Sequence, residues 1–184
     1  MIDELKLYEL RNKLYHLDTN IEDDLILNIT DNKAFEKNEK MDVLCFIYLS
    51  IRPSNTNYTN EEIRQRTKNI IYKVSSLSKY DYTEDELNKI ALLYFYNSRK
   101  RNNETKDEII SLIEELEENV VEDISELPLS IQFVNEELRM VLLSLYQYSG
   151  DIYDIYEPRI MTQLNIAKER VPLRLQVSEI LGKN

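Results

Sequence analysis

Between Thr83 and Arg101 the chain reads TEDELNKIALLYFYNSRKR, and its apolar residues fall into two helical stripes. Leu87, Ile90, Ala91 and Tyr94 follow the 3.6-residue repeat along one face, and Leu92, Phe95 and Tyr96 supply a second. Thr83 and Glu86 have the spacing of a capping box, in which each side chain satisfies a backbone amide at the helix start. Arg99, Lys100 and Arg101 stand at the other end, where the helix dipole favours cations. A helix apolar on both sides needs neighbours on both sides. The segment is therefore expected to be the central helix of an all-α domain.

The same periodicity organises the rest. Leu7, Leu10, Leu14 and Leu17 mark one stripe of a first helix over 2–17. A Thr19/Glu22 box precedes a second stripe of Ile21, Leu25 and Ile29, with a break at Asp31, Asn32 and Lys33. A helix over 36–51 carries VLCFIYL, apolar all round and so expected inside the bundle, and Arg52-Pro53 ends it. A Thr59/Glu62 box opens a helix reaching about Lys79, with Ile63, Ile70, Ile71, Val74 and Leu77 inward and Arg64, Arg66, Lys68 and Lys73 outward. A Thr105/Glu108 box starts a helix extended to Leu127, with Ile109, Ile113, Leu116, Val120, Ile124 and Leu127 on one stripe. Glu114, Glu115, Glu117, Glu118, Glu122 and Asp123 take its other side, a solvated or partner-facing acidic surface.

Pro128 is expected to stop that helix and Ser130 to cap the next, in which Val134, Leu138, Val141, Leu142 and Leu145 form the buried stripe and Ser149-Gly150 the closing turn. Pro158 suits the start of a short helix to Arg170 bearing Ile160, Met161, Leu164 and Ala167. After Pro172, LRLQV alternates Leu173, Leu175 and Val177 with Arg174 and Gln176, the repeat of an extended strand. A lone strand must pair with something, as an arm on a neighbour's edge or a tail along its own bundle. The expected fold is all-α, a bundle of six to seven helices over 1–150, with a short helix and an extended docking arm over 151–184.

Composition narrows the function classes. In 184 residues, 23 Lys and Arg face 34 Asp and Glu, and the net charge of −11 opposes broad capture of nucleic acid or anionic membrane. With 2 Gly and 4 Pro, neither a phosphate-cradling loop nor a dinucleotide fingerprint can be drawn. The single Cys45 rules out an internal disulfide and a multi-cysteine metal site. The acidic start MIDELK lacks a secretory n-region, and the longest apolar runs, 43–49 and 90–96, are well short of the roughly 20 residues that span a bilayer, so a soluble cytoplasmic protein is expected.

Candidate chemistry is sparse. His16 is the one histidine, and without a Cys, Ser or orienting carboxylate in view it is expected at the surface. Cys45, inside VLCFIYL, is expected to be a small core residue with a thiol made unreactive by burial. The runs Glu22-Asp23-Asp24 and Glu114–Glu118 lack the Glu-x-x-His pairs of di-iron bundles and the glycine turn of calcium loops. A DNA-reading helix pair over 59–101 would use Arg64, Arg66, Lys68, Lys73 and Arg99–Arg101, but its turn has no glycine and acidic helices flank it. Of the 13 tyrosines, Tyr94, Tyr96, Tyr146, Tyr148, Tyr153 and Tyr156 are expected near surfaces, where tyrosine favours protein interfaces. No catalytic, cofactor-binding or metal-binding residue is assigned. Partner binding is assigned to Tyr153, Tyr156, Leu173, Leu175 and Val177.

Four pieces of the chain, ELK at 4–6, LDTNIEDDLILNI at 17–29, NKIALLYFYNSR at 88–99 and ELPLSI at 126–131, resemble the small all-helical head-to-tail connector (adaptor) proteins of tailed bacteriophages. In that family an acidic stretch leads into a first helix, an apolar helix ends in a Tyr-x-x-Arg-like pattern, and a proline segment follows. Tyr96 and Arg99 take the last positions of that pattern here. The resemblance implies a non-catalytic, cofactor-free subunit of a homo-oligomeric ring in the virion, bridging portal and tail proteins around passing DNA. The alternative from another class is a cytoplasmic helical regulator or inhibitor that binds a partner protein through its tyrosine-rich end.

Overall fold

In the computed structural model, residues 3–30, 57–78, 80–101, 104–147 and 153–180 are described, and among them are eight α-helices and no strand. The helices are α1 (Glu4–Tyr15), α2 (Asp23–Thr30), α3 (Asn60–Ser76), α4 (Glu84–Ser98), α5 (Lys106–Asn119), α6 (Leu129–Gln147), α7 (Tyr153–Glu169) and α8 (Val171–Ile180). The all-α expectation holds. The expected helix over 36–51 with Cys45, together with Tyr148 and the Ser149-Gly150 turn, lies outside the described residues. The chain divides into two compact units, Met1–Lys100 and Arg101–Asn184, rather than at 150. The reason is that α7 and α8 pack on α6 and so belong to its unit.

The first unit contains two antiparallel helix pairs. Asp3, the N-cap of α1, donates its amide to Asn28 Oδ1 at 2.9 Å, and Asn28 Nδ2 returns a bond to the Asp3 carbonyl at 3.1 Å, tying the start of α1 to the end of α2. Asn60 and the Lys100 backbone exchange the same kind of pair, at 3.1 and 2.7 Å, across the open end of α3 and α4. At the opposite end Tyr72 Oη donates to Glu84 at 2.7 Å. The two pairs share one core. Leu7, Leu10, Leu14, Leu17, Leu25, Ile26 and Ile29 are buried from the first, and Ile63, Ile70, Ile71 and Val74 from α3.

Helix α4 is buried around most of its circumference, as its two stripes require, with Leu87, Ile90, Leu92, Leu93, Tyr94, Phe95 and Tyr96 inside and Asn88 and Asn97 outward. Its Thr83/Glu86 box forms in full, as do those of Thr59/Glu62 and Thr105/Glu108. The Thr19/Glu22 spacing does not open a helix, since α2 begins at Asp23. Helix α1 ends in a Schellman turn, in which Asp18 donates to the Lys13 carbonyl and Leu17 to that of Leu14. Leu17 takes the left-handed position usually given to glycine, φ 55°, and fills the core with a completely buried side chain. Removing a cap hydroxyl orphans an amide, so Thr83→Ala is expected to lower stability by about 1 kcal/mol, read as a shift in the urea unfolding midpoint.

The second unit packs α5, α7 and α8 around α6. Three expectations are corrected here. Helix α5 stops at Asn119 instead of continuing to Leu127, because the backbone of Val121 is taken by Asn135 and Arg139 of α6. Ser130 lies within the first turn of α6, whose opening amides at Ile131 and Gln132 bond to the Pro128 carbonyl. Helix α7 begins five residues before Pro158, which is accommodated inside it.

The largest correction is the tail. Residues 171–180 form helix α8, not an extended arm. Pro172 occupies its first turn, where a missing amide leaves no bond unmade, and Arg174 bonds back to the Arg170 carbonyl at 3.2 Å.

Candidate functional site

Only part of the expected partner surface is outward. On α8, Leu175 is 61% exposed, Leu173 is half-buried and Val177 is fully buried. Tyr156 is also buried, and Tyr153 opens α7. Leu173 and Val177 are the more covered because, on a helix, they turn to the side opposite Leu175. The tyrosines expected near surfaces are core residues: Tyr94, Tyr96 and Tyr146 are completely buried.

The Tyr146 hydroxyl is satisfied inside its unit, which lets that ring be buried. Tyr146 Oη donates to Glu117 Oε2 at 2.9 Å, and its ring stacks on Tyr156 with centroids 5.1 Å apart. Arg159 donates to both Glu117 oxygens at 2.9 and 3.0 Å and lies over the Tyr156 ring. Burial, and then the hydrogen bond to Glu117, raise the Tyr146 phenol far above its ordinary range. Burial likewise raises Tyr156. Both rings stay neutral and act as packing.

The most concentrated polar chemistry in the second unit is a buried network on α6. Arg139, Asn135 and Glu136 are all almost inaccessible. Arg139 Nε donates to Glu136 Oε1 at 3.0 Å and its Nη2 to Glu136 Oε2 at 3.2 Å. The same guanidinium reaches the Val121 carbonyl at 2.7 Å and Gln163 of α7. Asn135 donates to Glu136 Oε2 at 2.8 Å and clasps Val121 through both its amide and its carbonyl. Arg170, between α7 and α8, stands 3.6 Å from Glu136 and donates to the Glu122 carbonyl. The network joins the α5–α6 loop, α6, α7 and the α8 joint. Each acceptor already has an internal donor, so its work is to hold these pieces together.

The basic face of α3 is largely turned to internal use. Arg66 donates to the Leu17 carbonyl at 3.1 Å and lies 4.0 Å over Tyr58, Arg64 lies 4.0 Å over Phe95, and Lys73 pairs with Asp23. Arg99 bonds to the Tyr96 carbonyl at 3.1 Å. His16 is the exposed C-cap of α1, edge-on to Tyr15. Among the described residues no group of His, Cys, Asp and Glu is placed to hold a metal ion, and no helix is long and apolar enough to cross a membrane.

Several large apolar side chains are also outward. On α1, Leu5, Tyr8 and Tyr15 are 81%, 72% and 46% exposed, and their spacing puts them on one face. On α8, Val171 and Leu175 are a turn apart and 46% and 61% exposed. Charge is also divided unequally. Residues 1–100 hold 15 Lys and Arg against 17 Asp and Glu, whereas 101–184 hold 8 against 17. No protein-family model matches the chain, no curated protein matches it, and no solved structure matches it.

Proposed function

We propose that the chain is a non-catalytic structural assembly protein, a subunit that repeats head to tail in a ring of the kind that connects a bacteriophage portal to its tail. The observation that carries this reading is the pair of open apolar helix faces, Leu5/Tyr8/Tyr15 in one unit and Val171/Leu175 in the other. A subunit with two different sticky faces favours heterologous contacts, and these close into rings when the rotation allows. The charge division favours the same arrangement, because two copies of the acidic second unit repel each other more than a second unit and a first unit do. The acidic excess also suits a channel through which DNA slides without adhering. The connector form of the proposal rests on the sequence resemblance. The regulator alternative is less favoured, since two tyrosines of that end, Tyr146 and Tyr156, are internal.

The test is light scattering and negative-stain electron microscopy of the purified chain, alone and mixed with a portal protein. A ring is expected, and Leu5→Asp with Tyr8→Asp, or Val171→Asp with Leu175→Asp, should each disperse it to monomers with an unchanged helical circular dichroism spectrum. A wild-type chain that stays monomeric under both conditions, or virions that assemble normally without it, would overturn the proposal.

A further inference from the structure

We infer that α8 is a hinged strap, one that undocks from α6 and α7 as a unit while those two helices stay folded. The joint is a single residue. Helix α7 ends at Glu169 and α8 starts at Val171. Pro172 is the cause of the break, because it cannot donate to the Lys168 carbonyl and its ring would collide with that group in a continuous helix.

Beyond the joint the fastening among the described residues is slight, one ion pair and one fully buried side chain. Arg174 meets Glu137 of α6 at 3.2 Å, and both side chains are partly exposed. Arg170, the joint itself, stands 3.6 Å from Glu136 and donates to the Glu122 carbonyl. Of the α8 side chains described, only Val177 is fully buried. Helix α6, by contrast, is buried around most of its circumference. An ion pair as open to water as Arg174–Glu137 is weak and screened by salt, so α8 is held far less firmly than the helix it rests on.

Departure of α8 also leaves no stranded charge. Glu136 keeps three donors without Arg170, namely Arg139 Nε at 3.0 Å, Arg139 Nη2 at 3.2 Å and Asn135 Nδ2 at 2.8 Å. The carboxylate is neutralised and hydrogen-bonded whether the strap is on or off. Removing a buried ion's last partner is what makes such separations costly, and here that cost is absent. Release exposes Leu173 and Val177, on the side of α8 opposite the Val171 and Leu175 face.

Hydrogen–deuterium exchange on the dilute full-length chain tests the strap directly. Peptides covering 171–180 should exchange at least about tenfold faster than those covering 129–147. Raising salt from about 0.05 M to about 0.5 M should speed exchange in 171–180 several-fold and leave 129–147 unchanged. Glu137→Gln at low salt should reproduce the effect, since it removes the charge that Arg174 pairs with while keeping the side chain's size, and an unchanged circular dichroism spectrum checks that the unit stays folded. Equal protection of the two segments, or a response to salt shared by both, would overturn the inference. Either result leaves the assembly proposal standing, because that depends on the outward sides of α1 and α8.

Discussion

Arg139→Ala should lower the stability of the second unit by about 3–5 kcal/mol, the range for breaking one side of a buried ion pair. The guanidinium is completely inaccessible and supplies two of the three hydrogen bonds that Glu136 accepts. Its loss leaves a carboxylate inside the protein with only Asn135 and the distant Arg170 to balance it. The Val121 carbonyl keeps Asn135, but the loop loses its second anchor to α6. Replacing both partners with apolar residues of similar size, Glu136→Leu with Arg139→Met, should cost much less than Arg139→Ala alone, because no buried charge then remains. Urea unfolding followed by circular dichroism measures both. A loss below about 1 kcal/mol for Arg139→Ala would mean that Glu136 is reached by water and that the network is not a closed interior structure.

The distribution of legible and illegible features follows from how local each determinant is. The boxes at Thr59, Thr83 and Thr105 were readable because their bonds span three residues of contiguous chain. The stripes of α1, α3 and α4 were readable because burial follows the helical repeat directly. The end of α5 was not, since the groups that stop it, Asn135 and Arg139, arrive from a different helix. Nor was α8: five residues with apolar side chains at alternate positions fit a strand, yet the segment is helical and the arginine between them meets Glu137 of α6, a partner remote in sequence. Pro158 shows the opposite case: its preference for a helix start is overridden, and the helix begins five residues earlier.

The buried network had a signal that went unused. Asn135, Arg139, Leu142 and Tyr146 recur at helical spacing, so a polar pair continues the line of two core residues. A polar residue in an apolar register is either exposed by a local twist or satisfied by a neighbour. Which of the two applies depends on Gln163 and Val121, and neither is near in sequence to Arg139. The tyrosines failed for a related reason. Their interface preference is real, but an internal acceptor such as Glu117 makes burial just as acceptable, and acceptors of this kind appear only once the chain is folded.

Tyr94 separates packing from hydrogen bonding at the centre of the first unit. It is completely buried in the middle of α4, and its hydroxyl approaches the Leu14 carbonyl at 3.5 Å, the outer limit of a hydrogen bond. Tyr94→Ala should therefore cost about 3–5 kcal/mol through the cavity left by the ring. Tyr94→Phe keeps the ring and should cost no more than about 1 kcal/mol. The two variants should also differ from wild type in their response to base. Burial raises the Tyr94 phenol far above its ordinary value of 10.0, so the folded state holds the proton more tightly than the unfolded state does. Its contribution to stability is then complete below pH 10 and declines as pH climbs past that value, because only the unfolded chain can release the proton. Each such group steepens the loss by up to about 1.4 kcal/mol per pH unit. Tyr94→Phe should accordingly unfold along a shallower alkaline slope than wild type, and crossing curves of unfolding free energy against pH are expected above pH 10. Parallel slopes for the two proteins would show that Tyr94 ionises as readily inside the fold as outside, and would remove it from the sealed centre of the helix.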